Sequence, residues 1–285
     1  MKYGIVVDSS CDLPALRTGG DSIDYTKVPL KLDIGDKEFV DDETLDVPAF
    51  IEELYAYKGR SGSAAPAPYA FLEAYEKSEC VFAITITSQL SGSYASAMTA
   101  ADMFLEEHPE RKIYVIDSRS TGPEMSMIAN RLAELIGEGK SFEEICRAIE
   151  EYRRRTYLLY ALQSIENLVK NGRVSRLAGS IAGILGIKVL GVASENGTVE
   201  LLHKLRGRLS VYDKMIVEML ERGYNGGRVI IAHCLNPEMA GYLAREILSR
   251  FPKSSVEMMP SGGLCSYYAE RGGILLGFEG RPREA

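Results

Sequence analysis

The chain has 285 residues, 46% of them hydrophobic, and a formal net charge of −7. That length suits one large or two medium α/β domains, and the acidic balance excludes a nucleic-acid backbone as partner, since such partners need concentrated positive charge. No apolar run reaches the roughly 18 residues of a membrane span; "IAGILGIKVLGVA" is shorter, carries Lys188 and reads as a buried element.

In chain order, "YGIVVD" reads as a buried strand ending on Asp8, followed by the turn "SSCDLP". "VPLKLDIG" alternates like a half-exposed strand, and "GDKEF" reads as a turn. "VPAFIEELYAY" has helical spacing. "GRSGSAAPAP" reads as a loop of small residues, with Pro68 opening the helix "YAFLEAYEKS". "CVFAITI" is a second buried strand. After it, Tyr94, Ala97, Met98, Ala101 and Leu105 recur at helical spacing, so a helix starts near Ser91 to Ser93. "KIYVIDS" is a third buried strand, ending on Asp117 and Ser118. "EMSMIANRLAELIGEG" and "SFEEICRAIEEYRRR" are helices. The repeated strand, loop, helix order predicts a mainly parallel sheet with helices on its faces.

The pattern breaks at Arg153 to Arg155, where a charged helix end meets "TYLLYAL". A second α/β unit follows, with the helices "SVYDKMIVEMLERG" and "NPEMAGYLAREILSRF" and the strands "RVIIAHC", "SVEMMP" and "GGILLGFEG". The expected domains are residues 1–155 and 156–285. The N-terminus enters a strand directly and lacks the regions of a signal peptide, so a cytoplasmic protein is expected. The five cysteines are odd in number and include no C-x-x-C pair, which reads as free, mostly buried thiols. The scattered His108, His203 and His233 build no metal site. Monomer is the default state.

Ligands of open α/β sheets bind at the carboxyl ends of strands. Three such ends carry polar groups: Asp8-Ser9-Ser10, Thr87 to Ser93, and Asp117-Ser118. The middle one, "TSQLSGS", also leads into a helix N-terminus, where free N–H groups attract an anion and hydroxyls add bonds to it. Gly92 permits close backbone approach. The plainer alternative is that Ser91 or Ser93 caps the helix. No G-x-S-x-G elbow, P-loop or G-x-G-x-x-G is present, so no nucleotide cofactor is expected. A serine acyl hydrolase or acyltransferase using Ser91 would need a distant histidine brought in by folding. "KNGRVSR" gathers Lys170, Arg173 and Arg176 around a turn, which can face a carboxylate or phosphate or simply be solvated.

Taken together, "IVVDSSCDLP", "PAPYAFLEAYE", "ITSQLSGSYASA", "VIDSRST" and "LVKNGRVSRLAG", in this order, resemble the DegV family of bacterial fatty-acid-binding proteins, over nearly the whole chain. The resemblance implies two α/β domains with the ligand cleft between them, and one long-chain fatty acid whose carboxylate rests on a hydroxyl loop. The serine of the family's S-G-T-Y segment matches Ser91, flanked by Gly92 and Ser93. The first threonine of T-S-Q-P-S-P matches Ser63, and the arginine of G-G-R-I matches Arg173. Some members present the fatty acid to a separate kinase that phosphorylates its carboxylate, so the resemblance implies a non-catalytic carrier with no catalytic residue of its own. Two segments depart from the pattern. T-S-Q becomes Ser63-Ala64-Ala65, and the family's H-T-G-P-G becomes "SYYAERGG", with Tyr268 in the histidine's place and Arg271 nearby. The small residues of "SYASAMTAA" and the methionines Met98, Met103 and Met125 suit the lining of an acyl tunnel, and equally an ordinary core.

Overall fold

The computed structural model describes residues 2–19, 22–174, 187–207 and 209–283. Strands β1 (Tyr3–Asp8), β2 (Ile23–Val28), β6 (Cys80–Thr85) and β7 (Lys112–Asp117) form a parallel sheet in the order β2-β1-β6-β7. "YGIVVD" and "CVFAIT" are near-continuous apolar runs because helices cover both sheet faces. Val6, Val81 and Ala83 pack under α2 (Pro68–Tyr75) and α3 (Ser93–Glu107), against Phe71, Tyr75, Ala97, Ala100, Ala101 and Phe104. Their alternates Ile5, Val7, Phe82 and Ile84 face α4 (Pro123–Gly137) and α5 (Phe142–Arg153). Strand order reverses between β1 and β6, so a crevice opens at their carboxyl ends.

A small antiparallel sheet joins β4 (Lys37–Val40), β3 (Lys31–Ile34) and β5 (Ser61–Ala64), beside α1 (Val47–Ala56). Two sequence expectations change here. Only Gly35 and Asp36 of "GDKEF" form the turn; the rest is strand β4, a charged edge strand whose pattern lacks apolar alternation. The segment read as a loop, "GRSGSAAPAP", contains β5. Its small residues have little intrinsic strand preference, and pairing with β3, Leu32 opposite Ser63, imposes the extended form.

The remaining strands form a mixed sheet, β10 (Val199–Arg206), β9 (Ile187–Ala193), β8 (Thr156–Leu162), β13 (Ile274–Glu279), β11 (Arg228–His233) and β12 (Ser255–Pro260), in that spatial order. Only β11 and β12 pair in parallel. Helices α7 (Ser210–Glu221) and α8 (Pro237–Arg250) cover its outer face. The inner face turns toward α4, which touches β1 and β6 of one sheet and β8, β11 and β13 of the other. Enclosed this way, α4 is buried on all sides from Pro123 to Asn130, and part of its polar groups find partners inside, while Glu124 Oε2 and Asn130 Nδ2 have none among the described residues. Ser126 Oγ donates to the Gly122 carbonyl, and Glu124 Oε1 accepts from Thr156 Oγ1 at 2.7 Å. A single apolar cluster therefore runs through α4 from Ile5 and Ile84 to Leu158 and Leu275. The short helices α6 (Glu166–Lys170) and α9 (Gly263–Ala269) close one end. No helix among the described residues is long and apolar enough to cross a membrane.

Candidate ligand-binding site

A cavity lies at the crevice, with about 930 Å³ of empty space when its mouth is included. Its walls combine the loop after β6 (Thr87, Leu90, Ser91, Gly92), the end of β5 (Ser63), β8 (Leu158, Tyr160, Leu162), α9 (Leu264, Cys265, Tyr268, Ala269) and Arg173. The fold thus brings Ser63, Ser91, Gly92, Arg173 and Tyr268 together, although they lie up to 205 positions apart in the chain. Arg173 is the sole charged side chain among the described lining residues.

Hydrogen bonds fix the polar end. Ser63 and Tyr268 share one, Oγ to Oη, at 2.9 Å. Burial pushes the Tyr268 hydroxyl's pKa up, while Ser63 and Arg173 pull it back, so it stays a neutral donor. The Arg173 guanidinium lies 5.9 Å over the Tyr268 ring. Its Nε donates to the Leu90 carbonyl at 3.2 Å and its Nη1 to the Asn171 carbonyl at 2.6 Å. The positive charge is thereby tied to the same loop that carries Ser91. Neighbouring Tyr267, on α9, bonds Ser61 through its hydroxyl at 2.9 Å and accepts from Asn171 at 2.8 Å. These bonds dock α9 on α6 and β5.

Ser93 is not at the surface of the cavity. It is fully buried at the start of α3, where its hydroxyl lies 3.1 Å from Ser91 Oγ and hydrogen-bonds Asp8. Asp8, at the carboxyl end of β1, also accepts from Ile86 N at 2.8 Å and from Ser10. Burial raises its pKa to about 6 against these bonds. Asp8 and Ser93 thus brace the loop from behind. The capping alternative is partly realised: the cap position of α3 is Gly92, and Ser91 Oγ accepts from Ser93 N at 3.2 Å. Ser91 keeps one proton, which it directs either to Ser93 or into the cavity. A Cβ built at Gly92 would meet Ala65 at 3.7 Å, an ordinary contact, so glycine is not sterically required there. Asp117 holds Ser88 by both N and Oγ, away from the lining.

Other expectations are corrected. Met98 and Met103 are exposed on α3, and Ala97, Ala100 and Ala101 pack against α2, so this stretch is core and surface and not cavity wall. Met125 is buried within α4 and bonded by Ser10 Oγ. Lys170 pairs with Glu166 and Arg271 with Glu52; neither lines the cavity. Arg176 lies outside the described residues. None of the three histidines lines the cavity: His203 bonds Glu218, His108 meets Phe104 edge to face, and His233 ends β11. Sequence reasoning missed the apolar wall of β8; its signal was the unbroken run "TYLLYAL", buried on both faces.

Fold and cavity together define a class: an α/β protein whose parallel and mixed sheets enclose a largely apolar cavity with the cationic Arg173 at its polar end. The chain belongs to the DegV family, described as uncharacterised proteins, which matches residues 2–279. A DegV domain-containing protein of Streptococcus pneumoniae is 42% identical over 279 residues, 98% of this chain and 99% of the relative. The structure of the Streptococcus pneumoniae fatty acid kinase B3 protein, loaded with linoleic acid, is similar at a TM-score of 0.96 and 42% identity, covering 99% of this chain and 100% of that one. A DegV family protein of Eubacterium eligens, loaded with heptadecanoic acid, is similar at a TM-score of 0.94 and 43% identity, covering 98% and 100%.

Proposed function

We propose that this protein binds one long-chain fatty acid, with the acyl chain in the apolar cavity and the carboxylate at the Ser63, Ser91, Gly92 and Tyr268 end beside Arg173. The observation that carries this reading is the composition of the cavity: among the described residues, an extended apolar wall with a single charge, positive, next to a cluster of hydroxyls. That combination suits an anion with a long apolar tail. Each buried methylene contributes about 0.8 kcal/mol, so about 15 of them give on the order of 12 kcal/mol gross, before the entropy of ordering chain and ligand. Ser91 and Tyr268 supply O–H donors, and Ser93 with Asp8 keeps Ser91 aimed.

The protein acts as a carrier, in the bacterial cytoplasm, and hands the carboxylate to a separate fatty acid kinase. Likeness to the B3 protein of a fatty acid kinase supports this role, and the absence of a histidine beside Ser91 argues against a nucleophilic serine. Residues 1–155 and 156–285 act as two units that close on the ligand. Protein purified from a bacterial host should release fatty acid on denaturing extraction, read by mass spectrometry. Repeated absence of lipid, together with no uptake of added palmitate or oleate, would overturn the reading.

A further inference from the structure

Ser120 follows β7 and lines the cavity at 2% exposure, and its Oγ has no hydrogen-bond partner. It is the one cavity-lining side chain, among the described residues, with such a buried orphan atom. The backbone of Ser120 is fully committed. Its N–H donates to Ser118 Oγ at 3.1 Å, and its carbonyl accepts from Ser118 Oγ at 3.0 Å and Thr87 N at 2.9 Å. Its neighbour Thr121 also lines the cavity and has the Cys265 thiol, a weak partner, at 3.5 Å. Cys265 lies three residues, about one helical turn, before Tyr268 on α9. These two hydroxyls, with Thr87 beside them, therefore form a second polar station along a wall that also carries Leu158, Leu275 and Val199.

A buried hydroxyl facing an alkyl chain stays unsatisfied, which disfavours that complex; a hydroxyl on the chain would satisfy it. We propose that the cavity is built for an acyl chain bearing a hydroxyl group along its length, with Ser120 Oγ as that group's hydrogen-bond partner and Thr121 beside it. The proposal rests on the fatty-acid reading above and names the ligand class within it.

Calorimetry on lipid-stripped protein, with stearic acid and a positional series of monohydroxystearic acids, tests it. At least one positional isomer should bind about threefold to tenfold more tightly than stearic acid. Ser120→Ala should lose that preference and bind stearic acid as well as the parent or better. The variant keeps every backbone bond of Ser120, so its fold is preserved. Three results would overturn the proposal: every isomer binding more weakly than stearic acid, a preference that survives Ser120→Ala, or an equal loss for all acids in the variant, which would make Ser120 a carboxylate ligand. Failure of stearic acid and oleic acid alike to bind the parent would instead remove the fatty-acid reading itself.

Discussion

Ser91 sits where one proton has two uses. Its hydroxyl lies 3.1 Å from Ser93 Oγ, and a carboxylate in the cavity would take its proton instead, while Ser93 remains bonded to Asp8. Removing a hydroxyl that bonds a buried charged group costs about 1.5–3 kcal/mol. Ser91→Ala is therefore expected to weaken fatty-acid binding at least about tenfold with little change in melting temperature, and Ser63→Ala to act in the same direction. Unchanged affinity in both variants would move the carboxylate elsewhere. Arg173 differs, because two of its donors are spent on the Leu90 and Asn171 carbonyls and its charge is only partly buried. Water screens such a charge. Arg173→Ala should leave affinity within about tenfold, a bound of roughly 1.4 kcal/mol, while abolishing acyl phosphate trapped as hydroxamate in the presence of the host's kinase. The family resemblance singles out Ser63, Ser91 and Arg173, and the fold gathers them at one cavity; the hydroxyl loop and the basic turn by themselves leave helix capping and a solvated turn open. The places of Ser93 and the methionines of α3 were not legible in the sequence, because which face of a helix meets a cavity depends on packing that spacing alone leaves open.

Buried carboxylates add a pH dependence at the same scale. Burial, with a smaller push from the nearby Asp41, lifts Asp12 to about 7 against a bond from Gly262 N at 2.8 Å, the Cys265 thiol and the more distant Lys27. Asp12 Oδ2 has no partner, which suits a neutral carboxyl. Burial likewise raises Asp8 to about 6, and raises Asp41 and Glu270. A folded-state pKa above the unfolded value means that the folded protein holds the proton more tightly. The stability so contributed is fully present below about pH 4 and is lost as pH rises through about 6 and 7. The lowered carboxylates, Glu138, Glu143, Glu144 and Glu218, act in more acidic solution. Stability should thus fall by a few kcal/mol, as an order of magnitude, between pH 5 and pH 8. Asp12→Asn should flatten that slope in urea titrations run across the range; an unchanged slope would discharge Asp12 from the effect.

At the scale of elements, α9 carries Leu264, Cys265, Tyr268 and Ala269 into the cavity, and its position depends on Asp41. Asp41 accepts from Gly263 N at 2.7 Å, Leu264 N at 3.0 Å and Ser9 Oγ at 2.8 Å. Asp41→Ala removes all three bonds and leaves two buried amides unsatisfied, so a loss on the order of 2–4 kcal/mol in urea unfolding is expected, with weaker fatty-acid binding beside it. A smaller loss than 1 kcal/mol would mean that α9 is held chiefly by Tyr267 and its bonds to Ser61 and Asn171. The hairpin between β9 and β10 is fixed differently. Gly197 has φ +82, and a Cβ there would come within 2.2 Å of Thr87 Oγ1, so only glycine lets this turn close on the cavity loop. The parallel strands could be read from the chain because runs such as "CVFAIT" have one use in an α/β protein. Strands β4 and β5 could not, since "KEFV" and "SGSA" become strands through their partner β3 and not through their own preference.

For the whole molecule, the α/β class and the repeated strand-helix order followed from periodicity alone. The mixed pairing of the second sheet did not, because β13 returns from the far end of the chain to lie between β8 and β11. Helix α4 has a consequence for synthesis on the ribosome. It belongs by sequence to the first half, yet Met125, Ile128, Leu132 and their neighbours are sealed only when strands β8, β11 and β13 arrive, the last of them at residues 274–279. The nascent chain therefore emerges with a finished parallel sheet wearing a greasy, half-uncovered helix, a species that invites chaperone capture or self-association until the C-terminal strand is threaded home. Residues 1–155 expressed alone should bind a hydrophobic dye and sediment as aggregates, whereas co-expression with residues 156–285 should return a soluble pair. A monodisperse, dye-silent fragment would mean that α4 finds another cover and that the two halves mature independently.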